Sequence, residues 1–141
     1  MAVLRRWILA AAIVFAAAPL QAQAPADSSQ FELGRRYTQW LYQGQADSLW
    51  GKFSPEMRQA IPSAQAMTEL RGQLQAQVGT ETEVVSEHIM DPSPQPGLTV
   101  YVRTARFSTA PMLIEVMVAT DAEGIIQGFT VRPQAPPNPT D

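Results

Sequence analysis

From Ser28 onward apolar positions recur with a helical period, and after Thr80 with a period of two, so the chain divides into a helical half and a strand half. On a helical wheel Leu33, Tyr37, Trp40 and Leu41 share one quadrant, with Phe31 and Tyr42 beside it, while Glu32, Arg36, Gln39 and Gln43 fall opposite. This predicts a first helix with Asp27 and Ser28 as N-cap candidates, ending near Gln43 with Gly44 as its left-handed stop. A short second helix over 46–52 turns Leu49, Trp50 and then Phe53 inward. Ser54, Pro55 and Glu56 place a capping hydroxyl, a first-turn proline and an acid in order, opening a turn or two up to Ala60. Ser63 caps the next helix, which carries Met67, Leu70, Leu74 and Val78 on one stripe and ends at Gly79.

Four β-branched-rich runs follow, over 81–90, 98–107, 112–120 and 125–132. The connections are a stiff proline-rich loop over 91–97, a short loop over 108–111, and a hairpin over 121–124 with Gly124 in the left-handed position. Helices first and consecutive strands second predict an α+β domain over 25–133, with the helices on one face of a four-stranded antiparallel meander. Leu98, Val100 and Val102 are expected to join Ile114, Val116 and Val118 against the helices. Tyr101, Arg103, Ala105 and Phe107 would then share a semi-apolar open face with Leu113, Glu115 and Met117, subject to the strand register. The proline-rich tail over 134–141 is expected to be disordered.

The start of the chain changes the picture. Arg5 and Arg6 precede an apolar run from Trp7 to Ala18, and Ala22-Gln23-Ala24 offers small residues for cleavage, so residues 1–24 read as a secretory signal peptide. The apolar run is too short for a span, and the protein is expected to be soluble in the periplasm or secreted, with no membrane anchor after cleavage. Losing two arginines moves the net charge from −3 to about −5, which excludes phosphate-backbone binding as a main activity, so no nucleic-acid partner is expected. With no cysteine and one histidine, there is no disulfide frame and no zinc site of the Cys/His type, and no cofactor is called for.

Candidate chemistry is sparse, and no residue is singled out as catalytic. His88 is the only imidazole, on strict alternation beside Val84, Ser86 and Met90, with Glu115, Asp121, Tyr37 and Tyr101 as conceivable acid–base partners. Tyr37, Trp40, Trp50 and Tyr101 are candidates, with His88, for the lining of an apolar pocket, and core packing is the competing reading for each. Phe53 belongs to the same aromatic group. Arg103 opposite Glu115 would make a cross-strand ion pair. Glu81, Glu83 and Glu87 read as a solvated edge, not a metal cage.

Three segments carry a family resemblance: Leu41-Tyr42-Gln43-Gly44-Gln45, the run from Leu49 through Phe53-Ser54-Pro55-Glu56 to Arg58, and Asp121-Ala122-Glu123-Gly124-Ile125-Ile126-Gln127-Gly128-Phe129. Together they resemble the nuclear transport factor 2-like superfamily, and more narrowly a bacterial domain family of unknown function often found N-terminal to α/β-hydrolase domains. The resemblance implies helices folded into the concave face of a strongly curved sheet, a cone with a cavity, and pairing of copies by their sheets. No Gly-x-Ser-x-Gly elbow of a hydrolase occurs in the chain. The leading functional expectation is an exported, non-catalytic domain that binds a small hydrophobic ligand or a protein partner, as a homodimer through the open sheet face. The alternatives are an isomerase- or dehydratase-like enzyme built on His88, and an accessory module of an exported hydrolase.

Overall fold

A computed structural model describes residues 26–134, and the expected signal peptide over 1–24 and the tail beyond Gln134 lie outside them. Four helices precede four strands: α1 (Ala26–Gln43), α2 (Ala46–Trp50), α3 (Pro55–Ala60), α4 (Ala64–Val78), β1 (Glu81–Ile89), β2 (Thr99–Phe107), β3 (Ile114–Thr120) and β4 (Ile126–Pro133). The strands form one antiparallel sheet in the order β1-β2-β3-β4. The fold is therefore α+β with a four-stranded meander, and the sheet is not strongly curled. No helix among the described residues is long and apolar enough to cross a membrane.

Local chemistry accounts for the element ends. The Ser54 hydroxyl accepts from the Met57 amide at 3.2 Å and the Ser63 hydroxyl from the Ala66 amide at 3.1 Å, each satisfying an orphan donor of a helix start. Gly44 and Gly124 adopt φ of 74° and 80°, where a side chain would be strained. α1 starts at Ala26, so Asp27 and Ser28 lie in its first turn instead of ahead of it.

Tyr37, Leu41, Leu49, Phe53, Met67, Tyr101, Val116, Val118 and Ile126 make the main core between the helices and the sheet. Each such aliphatic side chain contributes about 1.5–3 kcal/mol by leaving water. The register corrects the expected face assignment. Tyr101 pairs with Val118, Arg103 with Val116 and Ala105 with Ile114, so it is the odd positions of β2 that lie against the helices. Val100 and Val102 lie on the opposite face with Ala119 and Met117, are themselves buried, and belong to neither core cluster.

α1 approaches β2 unusually closely. A Cβ built on Gly34 would stand 2.3 Å from Cγ of Tyr101, so only glycine lets the tyrosine ring nest under the helix. The helix propensity lost at Gly34, about 1 kcal/mol, is offset by burying Tyr101, which is 1% exposed.

One further rung is added at the outer edge of β4. The segment after α2 runs parallel to the start of β4: Ile126 N–H donates to the Lys52 carbonyl at 2.7 Å and Ser54 N–H to the Ile126 carbonyl at 2.9 Å. This single rung seats Phe53 in the core and launches α3 from the sheet edge.

Candidate functional site

The charged groups on the helix-covered face are committed to one another. Arg103 reaches Glu81 with two nitrogens, Nε at 3.0 Å from Oε2, and Glu87 with Nη1 at 2.8 Å. Arg35 of α1 clasps the same Glu87 through Nη2 at 2.7 Å and Nε at 3.2 Å, while Tyr101 Oη donates to it at 2.6 Å. The hydrogen bond from Arg35 is the main force holding the Glu87 carboxyl down at about 2, against the opposing effect of burial, and Tyr101 and Arg103 pull the same way. Burial and the bond to Glu87 push the Tyr101 hydroxyl up to about 12. A cluster so fully paired holds elements together and leaves no group to act as a free acid or base.

These contacts correct two expectations. Glu81 and Glu87 are half-buried ion-pair partners, and only Glu83 fits a solvated edge, paired with Arg106 where both side chains are 63% exposed. Arg103 does not meet Glu115, which instead accepts from Arg132 Nε at 2.9 Å.

The five expected pocket residues are not brought together. Tyr37 is 1% exposed in the core and donates to the Gly124 carbonyl; Trp40 packs beside it with ring centroids 5.4 Å apart. Trp50 Nε1–H donates to the Ile61 carbonyl at 2.7 Å, and Arg58 sits 4.5 Å over its ring. Tyr101 belongs to the ion-pair network. His88, paired in register with Val102, is exposed on the face away from the helices. Its four conceivable partners are placed elsewhere: Tyr37 on α1 in the core, Tyr101 on the helix-covered face of β2, Glu115 two strands away with Arg132, and Asp121 in the β3–β4 turn accepting from the Ile125 amide at 2.9 Å.

Two grooves flank α4 instead, and none of those five residues lines either. The first, about 270 Å³, lies between α1, α4 and the start of β1, over Leu41, Leu74 and Phe107. Two of its polar groups are already engaged or sealed. Glu81 is held by Arg103, and the Tyr42 hydroxyl is buried with no hydrogen-bond partner, its pKa driven up chiefly by burial.

The second groove, about 250 Å³, lies between α4 and β4. Met67, Leu70 and Leu74 form one wall, Phe129 and Val131 the other, and Ile61 closes the end. Arg71 is the only ionisable side chain on its wall; it donates to the Tyr42 carbonyl at 2.7 Å, in the last turn of α1, and makes no ion pair among the described residues. Leu70 is 47% exposed at the groove mouth. The helical stripe Met67-Leu70-Leu74 was visible in the sequence, but only Met67 is buried, so the stripe is half core and half groove. Among the described residues no group of three or more acidic, histidine or cysteine side chains is placed to hold a metal ion.

No family model, curated protein or solved structure matches the chain.

Proposed function

We propose that this protein is a non-catalytic binding domain whose site is the apolar groove between α4 and β4. The observation that carries the reading is Leu70, a large aliphatic side chain left 47% exposed on a wall that is otherwise apolar but for neutral glutamines and Arg71. Supporting it, the acidic and basic side chains nearest the core are consumed in mutual pairs, and His88 lies on the other side of the sheet. The test is binding of 1-anilinonaphthalene-8-sulfonate to the full chain and to Leu70→Glu. The wild type is expected to enhance the dye's fluorescence and the variant to lose that response with unchanged circular dichroism; equal response from both rejects the groove.

Kinship with the nuclear transport factor 2-like superfamily is part of the same proposal, supported by the element order and by helices gathered on one face of the meander. So is export, for which the support is the sequence of residues 1–24 alone. The mass of the chain recovered from a bacterial periplasm tests it, with an N-terminus near Pro25 expected. A second copy is expected on the sheet face away from the helices, around the half-buried Met117 and Ala119, and a monomer in sedimentation at high micromolar concentration rejects that pairing.

A further inference from the structure

β4 is an edge strand, and its main chain decides what the groove can hold. Gln134 N–H donates to the Leu113 carbonyl at 2.8 Å, which places Gln134 in a bonded pair with β3. The register from Pro133 back to Gly128 is unbroken, so antiparallel alternation turns the amides of Arg132 and Thr130 toward β3 and those of Val131 and Phe129 away from it. Pro133 falls at an outward position, where its missing N–H removes no bond from the sheet. Phe129 and Val131 thus present N–H and C=O groups along the free edge, with no main-chain partner among the described residues. The side chains of these same two residues line the groove under α4.

Farther up this edge, the chain itself already adds a rung. Phe53 pairs with Ile126 in the parallel sense and drops its side chain into the core beside it. The pairing stops where Pro55 turns the chain into α3, which packs against β4 through side chains and adds no further main-chain rung at its next two outward residues.

We propose that the occupant of the groove is an extended peptide segment that continues this edge, hydrogen-bonding to the main chain of Phe129 and Val131 and placing alternate apolar side chains between α4 and β4. A small apolar molecule would use the groove but leave the outward amides unused; a strand satisfies both. Arg71, the one ionisable side chain on the wall, gives one nitrogen to the Tyr42 carbonyl and has no carboxylate partner among the described residues, which makes an acidic group the complementary one on the peptide. The inference rests on the groove being the binding site, and it adds the partner's backbone conformation and charge.

The probe is a capped heptapeptide alternating valine and threonine with a terminal glutamate, titrated into the isotopically labelled full chain. Binding is expected to shift the amide signals of Phe129 and Val131 and slow their exchange at least tenfold, and a lysine-ended version is expected to bind more weakly. Val131→Pro removes an outward N–H and no bond to β3, so it is expected to weaken peptide binding at least tenfold beyond Val131→Ala, which trims the same groove wall but keeps the N–H. Peptide binding without protection of those two amides, equal binding to Val131→Pro and Val131→Ala, or no peptide binding alongside normal dye binding overturns the strand addition and leaves the groove reading standing. Protection of the same amides without peptide, rising with protein concentration, assigns the edge to a second copy and overturns the proposal. Absence of both peptide and dye binding removes the groove reading with it. Should Val131→Pro fail to fold, amide protection in the wild type decides.

Discussion

Arg103 on β2 and Glu87 on β1 are direct register partners, joined at 2.8 Å on the face the helices cover. Arg35 reaches the same carboxylate from α1, so one half-buried acid ties the first helix to the first two strands. The network couples elements that the apolar core alone would hold less specifically, because three side chains, Arg35, Tyr101 and Arg103, must converge on one pair of acceptor oxygens.

Acid is expected to loosen this tie. The Glu87 carboxyl titrates at about 2 in the fold against 4.5 without it, and a depressed carboxylate stabilises above its unfolded value and loses that contribution as pH falls through the folded one. Asp121, lowered chiefly by the Ile125 amide, acts in the same direction. The urea midpoint should therefore drop as pH falls from 4.5 toward 2. Glu87→Gln should flatten that dependence and cost about 3 kcal/mol at neutral pH, since two arginines lose their shared partner. An unchanged acid profile in the variant would refute the assignment.

Tyr42→Phe should do the opposite of an ordinary core deletion. Its hydroxyl is buried without a partner, and an unsatisfied buried hydroxyl costs about 1–3 kcal/mol. Equilibrium unfolding of Tyr42→Phe should show stability unchanged or raised by about 1 kcal/mol; a clear loss would mean that the hydroxyl is satisfied in solution.

Gly34→Ala should be severe although it raises helix propensity. The new methyl would meet the Tyr101 ring at 2.3 Å, and the helix must lift from β2 or the ring must leave its seat. A loss of about 3 kcal/mol is expected in urea unfolding, typical of overpacking. Gly72→Ala is the control, because nothing lies within 4 Å of its added Cβ; it should stabilise slightly.

Tyr37→Phe should loosen the β3–β4 turn. The Tyr37 hydroxyl donates to the Gly124 carbonyl and so ties α1 to that turn. A loss of about 1–2 kcal/mol is expected, together with faster amide exchange at Gly124 and Ile125, whose N–H groups bond to Asp121.

Much of the architecture is legible in local chemistry. Ser54, Ser63, Gly44 and Gly124 act within a few residues of themselves, so their effect on the backbone does not wait for the rest of the fold. The candidate site was not legible in that way. Phe129 and Val131 are ordinary strand residues in the sequence, and their importance comes from lying at an edge beside α4, a fact about strand order. Leu70 reads as one more member of an apolar stripe, and nothing in its neighbours along the chain says that the sheet fails to reach it. Three of the four aromatic pocket candidates are held by specific acceptors, Gly124 for Tyr37, Glu87 for Tyr101 and Ile61 for Trp50, while Trp40 packs on Tyr37.

The sequence alone determined the number, type and order of the described elements and the α+β class, because caps, stops and hydrophobic period are set over single turns of chain. Only the tertiary structure decided which face of β2 meets the helices. Val100, Tyr101 and Val102 are apolar on both sides of the strand, so alternation carried no preference. The choice fell to contacts far apart in sequence: Gly34 makes room for the Tyr101 ring, Glu81 and Glu87 neutralise Arg103, and Arg35 balances the second carboxylate.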